Sequence, residues 1–323
     1  MTTLKLVDPA ARELAQAFMG FDPTQQGIEK YRAALDAAMA GTAPDHPVPH
    51  NEIWAPGRNE EPDARLLIYR PRSSAGLSPA ILFIHASGFI AGRPEWAAAA
   101  NEAMAQEQNA LVVAVNYRLA PENPFPGPLE DCYTALQWIH DNASELNVDR
   151  DRVIVMGESA GGGLAAALCQ LARDRAELPV AAQVLVYPML DARTHSAEAR
   201  TRNSYAGEFV WTRRHNEFAW NAMRGGQDIP TARLGHFAPS LADDLSGLPP
   251  AFVAVGALDL FVDEDVEYTL RLARAGIPVE LHVYPGGIHG FDLTDSEIAR
   301  QFKRDLAQAL QRVVSSRKDG VCR

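Results

Sequence analysis

A serine between two glycines is the first group in this sequence that is suited to covalent chemistry. Residues 157–161 read GESAG; the apolar run RVIVM precedes them and an alanine-rich stretch follows. At a tight strand-to-helix turn a serine is pushed out at the end of a sheet, where its hydroxyl can attack a substrate. Gly157 and Gly161 lack the β-carbons that would collide with the neighbouring strand and helix. The pattern predicts a nucleophilic Ser159, and the simpler alternative is a serine that caps the helix.

A serine hydroxyl needs a base to remove its proton, and His289 is the best placed of the nine histidines. It lies in YPGGIHGF, just past a predicted strand, among glycines that let a loop hold an imidazole over the sheet edge. A histidine that follows both the serine and an acid along the chain fits the order Ser…Asp…His. We therefore predict that His289 is the base, although a loop histidine without a catalytic role is the commoner case.

The base in turn needs an acid that fixes its tautomer and stabilises the imidazolium. Asp259 ends the predicted strand AFVAVGALD and is the preferred candidate. Its rival is Asp191, which ends QVLVYPMLD, but the long segment after Asp191 is expected to carry that strand end away from the base. Asp263, Asp265 and Asp292 are looser candidates, and the first two resemble helix-start residues.

A second stretch with chemical potential is IHASGF at residues 84–89, which directly follows the apolar run AILF. A strand that runs into a histidine, two small residues and a glycine permits two interpretations. The chain simply turns at Gly88, or the turn exposes backbone N–H groups to a substrate.

These residues must be positioned by a regular framework, and the chain from about residue 65 supplies one. Short β-rich runs bounded by Pro, Gly or Ser alternate with helical patterns. The predicted strands are RLLIYRP, AILFIHA, ALVVAVNYR, RVIVMGE, QVLVYPML, AFVAVGALD and VELHVYPG. The predicted helices are EDCYTALQWIHDNASEL, SAGGGLAAALCQLARDR, EDVEYTLRLARAG and a last one with Ile298, Phe302, Leu306 and Leu310 on one stripe. Buried strands alternating with helices predict an α/β fold with a mostly parallel central sheet and helices on both faces.

Two segments stand outside this alternation. Residues 1–50 contain two helical patterns, AARELAQAFMGF and IEKYRAALDAAMA, followed by a Pro-rich loop. Residues 191–240 contain several aromatic residues and are long enough for a lid or subdomain rather than a plain loop. We expect these aromatic side chains to pack mainly against the N-terminal helices rather than to touch substrate.

Composition excludes several classes of function. A net charge of −11 argues against nucleic acid or anionic lipid as partners, because both reward a basic surface. The N-terminus lacks the pattern of a secretory signal, and no apolar run reaches the ~18 residues of a membrane span. Cys132, Cys169 and Cys322 are odd in number and far apart, and no zinc-binding spacing is present. A cytoplasmic protein without metal or other cofactor is predicted.

Together these motifs resemble those of the hormone-sensitive-lipase-like branch of the α/β-hydrolase esterases. The match extends from about residue 50 and includes YRLAPE, FPGPLED, GESAGGG, GLPP and HGF. The resemblance implies an α/β-hydrolase fold with a helical cap. Its expected division is 1–50 and 191–240 for the two parts of the cap, and 51–190 and 241–323 for the two parts of the core.

The resemblance also gives IHASGF a role, since the family usually has HGGGF or HGGGW there. It implies that the backbone N–H groups of Ser87 and Gly88, together with that of Ala160, form an oxyanion hole. Ala86 and Ser87 replace two glycines of that pattern. His85 is expected to hold the turn and not to act as the base. Expected substrate contacts are Phe89, Phe209 and Trp211.

The predicted function is that of a serine carboxylesterase acting on small esters, with short acyl chains and a possible homodimer through the last strand implied by the resemblance. Two alternatives stay open at this point. The same groups cleave amides if the leaving nitrogen is protonated, which would make the protein an amidase or peptidase. A non-catalytic binding protein on a hydrolase fold, as in the gibberellin receptors of plants, is the other.

Overall fold

The architecture is taken from a computed structural model that describes residues 2–18, 21–40, 48–72, 76–194, 196 and 203–315. Cys322 therefore lies outside the described residues, as do parts of both segments assigned to the cap. Cys132 and Cys169 are buried free thiols.

Eight strands within these residues form one sheet in the order β1-β2-β4-β3-β5-β6-β7-β8. The first two pairings, β1 with β2 and β2 with β4, are antiparallel, and the others are parallel. The strands are β1 Asn51–Ala55, β2 Ala64–Tyr69, β3 Ser78–Ile84, β4 Leu111–Asn116, β5 Val148–Glu158, β6 Ala182–Val186, β7 Ala251–Gly256 and β8 Val279–Tyr284. The sequence-based prediction of a mostly parallel α/β-hydrolase sheet is confirmed.

Helices cover both faces of the sheet. They are α1 Arg12–Ala17, α2 Pro23–Gln26, α3 Ile28–Ala40, α4 Ala98–Glu107, α5 Gly127–Asp141, α6 Ala143–Leu146, α7 Ala160–Arg175, α8 Arg213–Arg224, α9 Leu234–Phe237, α10 Val262–Arg274 and α11 Glu297–Ser315. Side chains of α5, α7 and α10 share one apolar core with the sheet, and side chains of α4 and α11 share the other. The α11 stripe predicted from the sequence packs into that second core.

The central elements are apolar because they are enclosed on all sides. Every residue of β3 is buried, and so are the first thirteen residues of α7. At the edge of the sheet, β8 is only half-buried, with Val283 44% exposed. The expectation that VELHVYPG is an edge strand is therefore correct.

The N-terminal residues contact the segment before α8. Thr3 donates a hydrogen bond from its backbone N–H to Glu208 at 2.6 Å. Phe209 packs with Val7, Ala11, Ala15 and Ile288 in a small separate core. This packing agrees with the expectation for Phe209, whereas the division of the chain into cap and core stays a prediction. Across the described residues, no helix combines the length and the apolar character that a bilayer crossing requires.

Candidate active site

The carboxyl ends of β5, β7 and β8 bring three predicted residues together at one edge of the sheet. The Ser159 hydroxyl oxygen lies 2.9 Å from His289 Nε2. On the other side of the imidazole, Nδ1 lies 2.8 Å from Asp259 Oδ2. All three side chains are buried. A hydroxyl, an imidazole and a carboxylate in this order can activate the oxygen as a nucleophile.

Ser159 occupies a strained turn between β5 and α7. Its backbone φ is 54°, in the left-handed region that residues with a β-carbon rarely adopt. A β-carbon on Gly157 would lie 2.1 Å from the Gly161 carbonyl oxygen, and one on Gly161 would lie 2.1 Å from the Ile84 carbonyl oxygen. These two contacts bear out the expectation that only glycine fits on either side of the turn. Helix α7 thus begins directly after the serine, and the positive end of the helix dipole favours negative charge there.

The structure separates the two rival acids. Asp259 has a fully buried side chain and accepts a second hydrogen bond from the Phe261 N–H at 3.0 Å. Asp191 is paired instead with the Arg193 guanidinium at 2.7 Å. Of the looser candidates, Asp292 accepts a hydrogen bond from Tyr187, and Asp265 is buried with neither carboxyl oxygen hydrogen-bonded within the described chain.

Aromatic rings enclose the imidazole of His289. Tyr187 and Phe261 pack edge-to-face on it, with ring centroids 4.7 and 5.3 Å away. The Trp211 ring lies 6.2 Å from it and donates its Nε1–H to the Asn216 side-chain oxygen. Such packing limits the rotation of the imidazole and reduces the access of water to it.

The turn after β3 presents backbone N–H groups near the serine. Ser87, Gly88 and Phe89 have φ values of 113°, 69° and 66°, so three successive residues have left-handed backbones. Over the residues that the structure describes, the N–H groups of Ser87, Gly88 and Ala160 donate to no protein acceptor. Unpaired N–H groups beside a nucleophile are what an oxyanion hole requires.

His85 holds this turn from inside. Its Nδ1 lies 2.8 Å from the Ala86 carbonyl oxygen, and its ring stacks on Tyr117 at 4.2 Å. Burial lowers the pKa of His85 to about 4. The imidazole is therefore neutral at physiological pH, which agrees with a supporting role rather than that of the base.

A cavity of about 230 Å³ opens at Ser159 and His289. Side chains from the N-terminal helices, the oxyanion turn, the start of α4 and the segment before α8 line it: Phe18, Tyr31, Leu35, Met39, Ala86, Ser87, Trp96, Val210 and Trp211, among others. Among the described residues of this wall, the ionisable side chains besides those of His85, His289 and the Tyr residues are those of Glu158 and Asp292.

Of the three expected substrate contacts, only Trp211 lines this cavity. Phe89 does not, because its left-handed backbone turns the ring into the core, where it packs edge-to-face on Trp220 at 5.1 Å. Phe209 does not, because it is buried against the N-terminal residues. Gly88 allows the close approach of Trp211, since a β-carbon there would lie 2.1 Å from the indole ring.

Sequence reasoning missed Tyr187 and the cavity wall formed by the N-terminal helices. Tyr187 directly follows β6, so its position at the same sheet edge as Ser159 was a usable signal. The wall residues Tyr31 and Leu35 are four apart on α3, on one face of the helix. Among the residues with described positions, no group of three or more His, Cys, Asp and Glu side chains is arranged to hold a metal ion.

Comparison with known proteins places these features in context. A family model described as alpha/beta hydrolase fold matches residues 81–293. The chain is 34% identical over 295 residues to the carboxylic ester hydrolase LipN of Mycobacterium tuberculosis, covering 90% of this chain and 76% of LipN. It is 32% identical over 294 residues to the carboxylesterase NlhH of the same species, covering 88% of each chain. The solved structure of a bacterial heroin esterase superposes with a TM-score of 0.90 at 34% identity, over 98% of this chain and 100% of the esterase.

Proposed function

This chain belongs to the α/β-hydrolase-fold family, in its hormone-sensitive-lipase-like branch, and is a carboxylic-ester hydrolase; from that premise we propose that Ser159, His289 and Asp259 are its catalytic triad. The observation that carries the proposal is the unbroken path of 2.9 and 2.8 Å from the serine oxygen through the imidazole to the buried carboxylate.

The proposed reaction proceeds through an acyl-enzyme. His289 Nε2 takes the proton of the Ser159 hydroxyl while the serine oxygen attacks the acyl carbonyl carbon. Asp259 stabilises the imidazolium, and the N–H groups of Ser87, Gly88 and Ala160 donate to the oxyanion. The imidazolium then protonates the leaving alcohol. A water molecule then gives a proton to His289 and attacks the acyl carbon. The bond from that carbon to the Ser159 oxygen breaks, His289 returns the proton to this oxygen, and the acid is released.

The cavity supports small esters as substrates. Its volume of about 230 Å³ is below the ~300–1,000 Å³ typical of sites for drug-sized ligands. Its wall is mostly apolar and, within the described residues, contains carboxyl groups but no Lys or Arg. We therefore propose short-acyl esters that are neutral or positively charged, and expect esters with a free carboxylate to be poor substrates.

The alternatives left open by the sequence have less support. Amide cleavage requires the same groups, but the relatives named above are ester hydrolases. A non-catalytic binding protein has no need of an aligned serine, imidazole and carboxylate.

Replacement of the nucleophile tests the proposal. Ser159→Ala is expected to lower kcat for p-nitrophenyl acetate by at least ~10³-fold and to abolish labelling by a fluorophosphonate. Ser246→Ala is the matched control, because that serine is exposed and its hydroxyl bonds only to Asp244 within the described chain. A folded Ser159→Ala protein with near-normal turnover would refute the assignment.

A further inference from the structure

Two acidic side chains that the proposed triad does not use lie in the same cavity. Glu158 is the last residue of β5 and directly precedes the nucleophile. Asp292 lies three residues after His289, in the short helical turn Phe291–Leu293. Both line the cavity together with Ser159 and His289. The fold thus brings two carboxyl groups from distant parts of the chain to the reacting groups.

Tyr187 connects one of these acids to the imidazole. Its hydroxyl donates a hydrogen bond to Asp292 Oδ1 at 2.9 Å. Its ring packs edge-to-face on His289, with the centroids 4.7 Å apart. The backbone of Tyr187 has a φ of 35°, and its N–H donates to the Ala254 carbonyl oxygen. A side chain held on a strained backbone in this way is tightly constrained by its surroundings.

Charged and titratable groups near the pair come from several neighbouring elements. Tyr187 after β6, His289 after β8 and Lys303 on α11 act on Asp292, and Asp259 after β7 acts on Tyr187. Burial raises the pKa of Glu158 to about 8, and the charge of Asp292 raises it as well. Burial also raises the pKa of Asp292, against the lowering effects of the Tyr187 hydrogen bond, Lys303 and His289. Like charges on two carboxyl groups in one cavity oppose the ionisation of both, which favours a state in which Glu158 keeps its proton.

We propose that Glu158 and Asp292 share one proton at neutral pH, and that the single negative charge on the pair stabilises the His289 imidazolium formed while Ser159 attacks the ester. The inference rests on the proposed function, since it concerns the same imidazole. The proton that moves in the reaction still passes from the Ser159 oxygen to His289 Nε2 and on to the leaving alcohol. The pair exchanges no proton with substrate, so Glu158 and Asp292 are positioning residues and not catalytic ones.

The shared proton gives the pair a signature in the pH profile. When the pH rises through about 8, Glu158 loses the proton and the pair acquires a second negative charge. A larger negative charge in the cavity that holds the imidazolium lowers the barrier to proton transfer from Ser159. The wild-type kcat/KM is therefore expected to show an additional rise centred near pH 8, above its neutral plateau.

Isosteric variants test this. Glu158→Gln, Asp292→Asn and the double variant are compared with Asp295→Asn, a control in the same loop whose side chain is 96% exposed. For each folded protein, kcat/KM for p-nitrophenyl acetate is measured from pH 5 to 10 at fixed ionic strength. Glu158→Gln should lose the rise near pH 8. The double variant should also have a plateau about tenfold lower, as for removal of one nearby charge. The control should match wild type.

The outcome that overturns the proposal is a folded double variant with the wild-type plateau and pH profile. If the double variant does not fold, a rise near pH 8 that persists in Glu158→Gln is sufficient to overturn it. The pH dependence of fluorophosphonate labelling gives a second readout of serine activation without acyl-enzyme hydrolysis. These results are distinguishable from failure of the proposed function, which would appear as an active Ser159→Ala protein.

Discussion

The side chain of Ser87 is bound within its own turn, which makes a sharp prediction about its role. The hydroxyl donates to the Ala91 carbonyl oxygen at 2.5 Å and also contacts the Ala86 carbonyl oxygen. Gly92 closes over it, because a β-carbon at that position would lie 2.0 Å from the Ser87 oxygen. We therefore expect the hydroxyl to stabilise the turn, while the backbone N–H of residue 87 serves the oxyanion.

The magnitude follows from two opposing effects. Loss of the hydroxyl removes a donor from the buried Ala91 carbonyl, at a cost of about 1–3 kcal/mol. The φ of 113° at Ser87 costs a residue with a β-carbon about 1–3 kcal/mol, and glycine is free of that strain. Ser87→Ala keeps the strain and loses the bond, so its free energy of unfolding should fall by about 1–3 kcal/mol. Ser87→Gly loses both, so its stability should stay within about 1 kcal/mol of wild type.

Urea unfolding and steady-state kinetics on p-nitrophenyl acetate measure the two quantities. Both variants retain the backbone donor, so neither should show the ~10²–10³-fold loss of kcat typical of a removed oxyanion donor. Ala176→Gly is the matched control for relief of strain. It has a φ of 54° and caps the far end of α7, about 26 Å from Ser159 at 1.5 Å per residue. It should gain up to about 1 kcal/mol and leave kcat unchanged.

The reasoning is refuted if folded Ser87→Ala and Ser87→Gly both lose kcat by 10²-fold or more. In that case the hydroxyl itself donates to the oxyanion during the reaction. Equal stability losses in the two variants would instead show that the backbone angle stores no appreciable strain.

Four further predictions concern the acid of the proposed triad, the space for the alcohol part of the substrate, the buried carboxyl group of Asp265 and the formation of a homodimer. Asp259→Asn should lower kcat by ~10³–10⁴-fold, whereas Asp191→Asn should change it little because that carboxylate is paired with Arg193; the reverse ranking would reassign the acid. Ala86 and Ser87 line the cavity, so Ala86→Gly combined with Ser87→Gly removes a methyl and a hydroxymethyl group and leaves more room for a bulky alcohol. The double variant should therefore raise kcat/KM for tert-butyl acetate relative to ethyl acetate, and an unchanged ratio contradicts this. Burial raises the pKa of Asp265 well above 3.8, so the stability that this group contributes is present at low pH and is lost as the pH rises; Asp265→Asn should therefore raise Tm at pH 8 more than at pH 4, and equal shifts would count against it. The edge position of β8 favours a homodimer through that strand, and light scattering that detects only monomer at micromolar concentration would exclude it.

Strands that are enclosed on both faces were predictable from the sequence, whereas the mostly exposed strand β1 was missed. Runs such as AILF and VIVM are apolar throughout because both faces of β3 and β5 are covered. The outer strand β1 was missed because NEIWA is mostly exposed and lacks such a run. Helix α4 was missed because AAANEAMAQE has small residues on all sides, which gives little contrast between its faces.

The residues of the candidate site were likewise predictable only in part. The triad candidates were found because the ends of parallel strands meet at one edge and the chain order was informative. The partnership of Glu158, Asp292 and Tyr187 was not predictable, because it depends on side-chain directions from segments far apart in the chain. Proximity in sequence was also misleading for Phe89, which directly follows Gly88 and yet packs in the core.

The strained residues explain how this chain keeps the turn without the glycines of the related pattern. Ser87, Phe89, Ser159 and Tyr187 all have positive φ, and all lie at the same edge of the sheet. Backbone hydrogen bonds from neighbouring elements hold three of them: Ser159 N–H to Val186, Ala120 N–H to Phe89, and Tyr187 N–H to Ala254. Such conformations persist only where the surrounding structure determines them. Because oxyanion chemistry requires N–H groups that point in the right direction, the surrounding fold can impose that direction on a serine, with the Ser87 hydroxyl bond to Ala91 offsetting part of the strain.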